Sequence, residues 1–179
     1  MSVPSHLLEV GKSTEKQCKT VLDFEGWRVA ILRYYGDMDP KKFYRMGRHH
    51  KTNEVFVLDR GEADMVICEN GDKPGEAHVI KMEQGVAYNV LQNVWHAVVM
   101  SRDAHIIIFE KSDTSAENTE YVELDEEVID ACKKQFASGK KKKAKKKKAK
   151  KSGRKGKAAS SEDAANDPIQ QLTLWPEFQ

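Results

Sequence analysis

Seven short segments of the chain share one pattern, and that pattern decides the fold class. They are 27–35 (WRVAILRYY), 54–58 (EVFVL), 63–68 (ADMVIC), 77–82 (AHVIKM), 86–91 (VAYNVL), 96–100 (HAVVM) and 105–109 (HIIIF). Each is rich in Val, Ile or aromatic residues, which favour the pleated backbone of a strand. Turn signals separate most of them, at 37–40 (DMDP), 59–62 (DRGE), 69–72 (ENGD) and 101–103 (SRD). No helical period intervenes. Short strands at regular spacing predict an all-β sandwich or barrel. Asn70-Gly71 predicts a hairpin, on a loop that runs on through Lys73-Pro74-Gly75.

The period changes after the last strand. In 124–138 (LDEEVIDACKKQFAS), Val128, Ile129, Cys132 and Phe136 fall on one helical face. Acidic residues occupy the first turn, Lys133 and Lys134 lie near the end, and Gly139 is a stop. This predicts a short C-terminal helix packed on the barrel. Beyond it the charge changes sign. The 179 residues sum to +2, but 140–157 hold 13 of the 30 Lys and Arg residues. The first 139 residues carry 24 acidic and 17 basic groups, a balance of −7, and the remainder stands at +9. The expected organisation is an N-terminal segment (1–24), a barrel with its helix (25–138), a disordered Lys-rich linker (139–169) and a candidate docking peptide (170–179).

Several classes are excluded at this level. No apolar run approaches the roughly 18–20 residues of a membrane-spanning helix. The first residues, MSVPSHLLEVGKSTEKQ, lack a basic start followed by a long apolar stretch, so no secretory signal is expected. Cys18, Cys68 and Cys132 are widely spaced, which argues against a disulfide framework or a structural zinc site. The expected location is cytoplasmic. Gly11-Lys-Ser-Thr14 has the end of a phosphate-loop pattern, but His6 replaces the glycine that pattern requires.

The most informative stretch runs from His49-His50 through Glu54 to Gly61, followed by 85–96 (GVAYNVLQNVWH). Together these resemble the two motifs of the cupin superfamily, H-x-H-x(3,4)-E-x(6)-G and G-x(5)-P-x-G-x(2)-H. Glu54 to Gly61 fits the first spacing, and Gly85 to His96 fits the second, with Leu91 and Asn93 replacing Pro and Gly. The stretches 23–30, 48–57 and 88–96 also resemble small bacterial cupins of unsettled reaction. The resemblance covers about residues 25–112. It implies a cupin-like double-stranded β-helix, or jelly-roll, barrel.

It also implies a metal site in the barrel mouth. The inherited set is His49, Glu54 and His96. Such N/O donors suit Fe(II), Mn(II), Ni(II) or Zn(II). The first motif is incomplete, because Gly47 or Arg48 stands where the first histidine belongs. Three ligands can hold a metal with open positions, and the set could equally hydrogen-bond a ligand without metal. His49 and His50 should point to opposite faces if extended. His50, Tyr44, Tyr88, Asn89 and Trp95 are candidates to line the ligand pocket. His78 and His105 read as structural. The expected function is binding, sensing or acting on a small polar metabolite such as a sugar or organic acid. A homodimer is consistent with the resemblance.

The tail supports a different reading. A dense lysine run favours sequence-independent contact with nucleic acid, although a solubilising linker has the same composition. Gln171-Leu-Thr-Leu174-Trp175 resembles a bacterial sliding-clamp-binding peptide. Gln171 would supply rim hydrogen bonds, and Leu172, Leu174 and Trp175 apolar anchors. The alternative function is therefore an accessory protein of DNA metabolism.

Overall fold

The structure, a computed structural model, describes residues 3–136. The expected linker at 139–169, including the lysine run, and the peptide with Gln171, Leu172, Leu174 and Trp175 lie outside the described residues. Ten strands form the body: β1 (Gln17–Phe24), β2 (Trp27–Arg33), β3 (Arg45–His49), β4 (Glu54–Arg60), β5 (Ala63–Cys68), β6 (Ala77–Lys81), β7 (Ala87–Val90), β8 (Trp95–Met100), β9 (His105–Lys111) and β10 (Thr119–Glu123). They make two five-stranded antiparallel sheets, ordered β1-β2-β9-β4-β7 and β10-β3-β8-β5-β6. From β2 to β5 the chain alternates between sheets, turns at the β5–β6 hairpin, and alternates back to β9. First therefore pairs with last and inner with inner, which is the jelly-roll topology. The barrel is all-β, as the segment pattern predicts, with one short helix, α1, spanning 126–136. No helix among the described residues is long and apolar enough to cross a membrane.

Period-two alternation sorts the side chains into two cores. Between the sheets lie Ala30, Leu32, Phe56, Leu58, Met65, Val98, Met100, Ile106 and Ile108, all buried. On the far face of the second sheet, Met46, Val66, Cys68, Trp95 and Val99 pack under α1 through Phe43, Cys132 and Phe136. The Phe43 and Phe136 rings meet edge-on at 5.5 Å. The predicted apolar face of the helix is thus the one that is buried. The helix starts at 126 rather than 124. Leu124 instead donates its N–H to the Tyr44 carbonyl, and the Asp125 carbonyl accepts the first helical bond, from Ile129, at 3.1 Å. The Asn70-Gly71 signal corresponds to the 69–76 loop joining paired strands β5 and β6.

Three strands lack an apolar signal in the sequence. β1 falls in the 1–24 segment expected to precede the barrel, yet it pairs with β2 along its length. β3 (RMGRH) and β10 (TEYVE) pair with each other. Their inward residues face a cavity instead of a core, so polar residues and glycine replace the apolar alternation.

Gly61 ends the first motif at φ +80°, and an added Cβ would sit 2.5 Å from Ala104 Cα. Gly85, at φ +78°, has open space around that position. Gly61→Ala should therefore cost about 3 kcal/mol of stability and Gly85→Ala only about 1 kcal/mol in urea unfolding. Equal losses would contradict this packing.

Candidate metal and ligand site

Four strands of the barrel carry an inward apolar stripe that ends in a polar residue at the same end. On β2 the stripe is Leu32, Ala30, Arg28; on β4 it is Leu58, Phe56, Glu54. On β8 it is Met100, Val98, His96; on β9 it is Ile106, Ile108, Glu110. β3 adds Gly47 and His49, and β10 adds Thr119 and Tyr121. The polar ends Arg28, Glu54, His96 and Glu110, with Gly47, His49, Thr119 and Tyr121, line one cavity of about 390 Å³.

Glu54 is the centre of the group. One of its oxygens, Oε2, lies 2.9 Å from His49 Nε2 and 2.9 Å from His96 Nε2. The three donor atoms fall within 4.8 Å of one another. The far nitrogen of each ring is also held. His96 Nδ1–H donates to the Val94 carbonyl at 3.0 Å, and His49 Nδ1 lies 2.8 Å from Thr119 Oγ1. Such anchoring aims both Nε2 atoms at one point, as the outer hydrogen bonds of metal-ligating histidines do. The donor set is two imidazoles and a carboxylate with no thiolate, which fits a divalent first-row metal.

Burial works against the Glu54 charge, but hydrogen bonds from His49 and His96 outweigh it and hold the carboxyl down at about 2. Burial also disfavours a charged His96, yet the bond to Glu54 and its negative charge prevail and raise the His96 value. Both His96 ring nitrogens face oxygen acceptors, an arrangement that favours the protonated ring. Cys18 is an exposed residue that borders the cavity, where desolvation and the charges of Glu54 and Glu110 push its thiol up to about 11. It is a neutral thiol at physiological pH and a poor nucleophile.

The other candidates divide by strand alternation. Tyr44 lines the cavity. Trp95 does not, because its neighbour His96 takes the inward face. Trp95 is fully buried under α1 and donates Nε1–H to the Gly71 carbonyl at 2.9 Å. The Arg48 guanidinium stacks 4.2 Å over its ring and donates to the same carbonyl at 2.9 Å. His50 points away from the cavity, with Nδ1 2.9 Å from Asn93 Oδ1. Tyr88 and Asn89 border a separate apolar groove with Met65, Ile80 and Leu91. His105 pairs with Asp59 at 2.8 Å outside the cavity, and His78 is exposed.

Arg28, Glu110, Thr119 and Tyr121 are cavity residues the sequence reading missed. For Arg28 and Glu110 the signal was a polar residue two positions beyond an inward apolar pair, visible only once the strand's facing is known. Gly47, at the expected first-histidine position, has the Tyr121 ring about 3.0 Å from where a Cβ would stand. The aromatic ring fills the place of the missing ligand. Glu110 Oε1 takes hydrogen bonds from Arg28 Nε at 3.0 Å and Nη2 at 2.7 Å. Its other oxygen, Oε2, is buried with no partner among the described residues.

No protein-family model and no curated protein matches the chain. Among solved structures it is similar to a cupin-2 domain protein from Shewanella frigidimarina, at 17% identity over 59% of this chain and 86% of that one, with a TM-score of 0.39. It is also similar to KdgF from a Halomonas species, at 12% identity over 64% of this chain and 94% of that one, TM-score 0.41. A third is the nucleoside dehydratase Pac13 of Streptomyces, at 8% identity over 64% and 86%, TM-score 0.45. The likeness concerns the fold; the chemistry of the site rests on its own geometry.

The two titrations set the pH response of chelator-treated protein. Glu54 stabilises the fold above its usual 4.5, and this is lost as pH falls through about 2. His96 stabilises below its usual 6.5, and this is lost as pH rises through its raised value. The melting temperature should therefore decline on the alkaline side. Glu54→Gln should abolish that decline and cost about 3 kcal/mol near pH 6. An unchanged alkaline slope in the variant would refute the coupling.

Proposed function

We propose that this chain is a small-molecule-binding protein of the cupin type, in which His49, Glu54 and His96 hold a divalent metal at the floor of the cavity. The observation that carries this reading is the convergence of three donor atoms, with the two imidazole rings fixed from behind by Val94 and Thr119. Fe(II), Mn(II), Ni(II) and Zn(II) suit the donors. Bound there, such a cation supplies Lewis-acid polarisation of a ligand oxygen. The protein's own part is to orient and to shield. Glu54 offsets cationic charge, Phe56 packs edge-on to His96 at 5.8 Å, and the apolar stripes close the barrel behind the site. A small polar metabolite fits the cavity's volume and mixed lining.

A second reading has its own support. The three side chains already satisfy one another at 2.9 Å as an imidazolium–carboxylate cluster. In that reading the cluster hydrogen-bonds the ligand and no metal takes part.

Metal titration of chelator-treated protein separates the two. The metal reading expects one cation per chain by elemental analysis. His49→Ala and His96→Ala should each weaken binding by at least about 100-fold, and Thr119→Val by about tenfold, through the lost outer hydrogen bond. Absence of stoichiometric metal in the wild type would leave the metal-free reading.

A further inference from the structure

One aromatic side chain on the cavity wall has most of its surface uncovered. Tyr121 lies on β10, the edge strand of its sheet. Its neighbours fix its facing. Glu120 bonds Arg48 and Val122 packs with the α1 core, both on the far side of the sheet, so Tyr121 turns to the cavity with Thr119. Tyr121 is nevertheless 62% exposed, so its open surface stands at the cavity mouth.

The register sets its distance from the floor. Thr119 pairs with His49 and Tyr121 with Gly47. Two residues along a strand span about 7 Å, so the ring stands one such step from the bond between Thr119 and His49. The ring edge rests on Gly47, where an added Cβ would lie 3.0 Å from Cε1 and 3.1 Å from Cδ1. Arg45, the next inward residue of β3, holds its guanidinium 5.3 Å from the ring centre. The same guanidinium lies 5.5 Å from the Tyr44 ring centre and pairs with Asp37 at 3.6 Å. The Tyr121 ring is thus held at its edge and braced by a cation, yet keeps free π surface. Desolvation raises its phenol above the usual 10, Arg45 opposes this, and the charges of Glu54 and Glu110 reinforce it. The hydroxyl end therefore feels the carboxylates of the cavity.

We infer that Tyr121 is a stacking platform for the bound small molecule, so that the site selects ligands in which a planar, conjugated ring carries an oxygen group reaching the His49–Glu54–His96 floor. This rests on the reading of the cavity as a small-molecule site and narrows it; it does not require the metal. A flat ring laid on a tyrosine removes apolar surface of both from water and gains from offset stacking, whereas a puckered ring meets the face through fewer atoms. Gly47 and Arg45 hold the platform in place before the ligand arrives, which lowers the ordering cost. One strand step is short enough for a single ring with a one-carbon polar substituent to touch both platform and floor.

Matched probe pairs test it: benzoate against cyclohexanecarboxylate, and benzyl alcohol against cyclohexylmethanol. Each is titrated calorimetrically into full-length, zinc-treated protein, with zinc content measured on the same samples and amide shifts at 47 and 121 locating the site. In at least one pair the planar member should bind about tenfold more tightly. Tyr121→Leu, which keeps apolar bulk without a π face, should bring the members of that pair to within about twofold, and Tyr121→Phe should keep the preference. The ratio within each variant is the readout, so a general loss of folding does not mimic the effect. Equal binding of both members by the wild type overturns the inference. So does a preference that survives in Tyr121→Leu, or no binding by either planar probe. Methyl β-galactoside binding that depends on Tyr121, while the aryl probes stay unbound, would put a sugar on the ring and also overturn it. A Tyr121-dependent planar preference in samples that hold no zinc keeps this inference and removes the metal reading. One zinc per chain with no planar preference keeps the metal reading and removes this inference.

Discussion

A strand gives each sheet face every second residue, and the whole molecule follows from how that allotment is divided. One end of the inward face is spent on Leu, Met, Ile and Phe, which hold the two sheets together. The other end is spent on Arg28, Glu54, His96 and Glu110. The rigid apolar half positions the polar half, because each polar residue is only two positions from a buried one on the same strand. The outward face of the second sheet is apolar as well, and α1 covers it. A jelly roll of this kind separates the element that stabilises from the element that binds along a single strand, with no separate loop needed to carry the site.

That division also explains what the sequence reveals. β4, β5, β8 and β9 carry strong apolar alternation, so their positions and the all-β class are readable directly. Glu54 and His96 are readable from motif spacing. β3 and β10 are not, since Gly47, His49, Thr119 and Tyr121 face a cavity and break the alternation. Arg28 and Glu110 were hidden for a related reason. Each looks like an ordinary charged residue near a strand end until the register places them opposite each other across β2 and β9. Trp95 shows the opposite error. It reads in the sequence as a candidate to line the pocket, and adjacency to His96 on a strand is the reason it faces the helix instead.

Within the site, a cation would compete with protons for the same atoms. The Nε2 atoms that would bind a metal are those that donate to Glu54 in its absence. A cation would therefore displace any proton His96 holds there, and the raised His96 value favours that proton, so metal affinity should rise with pH. The carboxylate is suited to either state, because its low pKa keeps it anionic throughout the physiological range. Tyr121 over Gly47 takes the space where a further histidine would stand, so a cation held at this point would have three donors from the described residues.

The two imidazoles are also steered from outside the barrel. Arg48 and Trp95 immediately precede His49 and His96 in the chain, and both are tied to the carbonyl of Gly71 on the β5–β6 loop. Glu120 grips Arg48 from the far side at 2.7 Å. One peptide oxygen on a surface loop thus acts as a common tether for the backbones that set the ring-to-ring separation of 5.4 Å. Sequence drift in that loop would retune the spacing of the site's nitrogens without altering a single residue that faces the ligand.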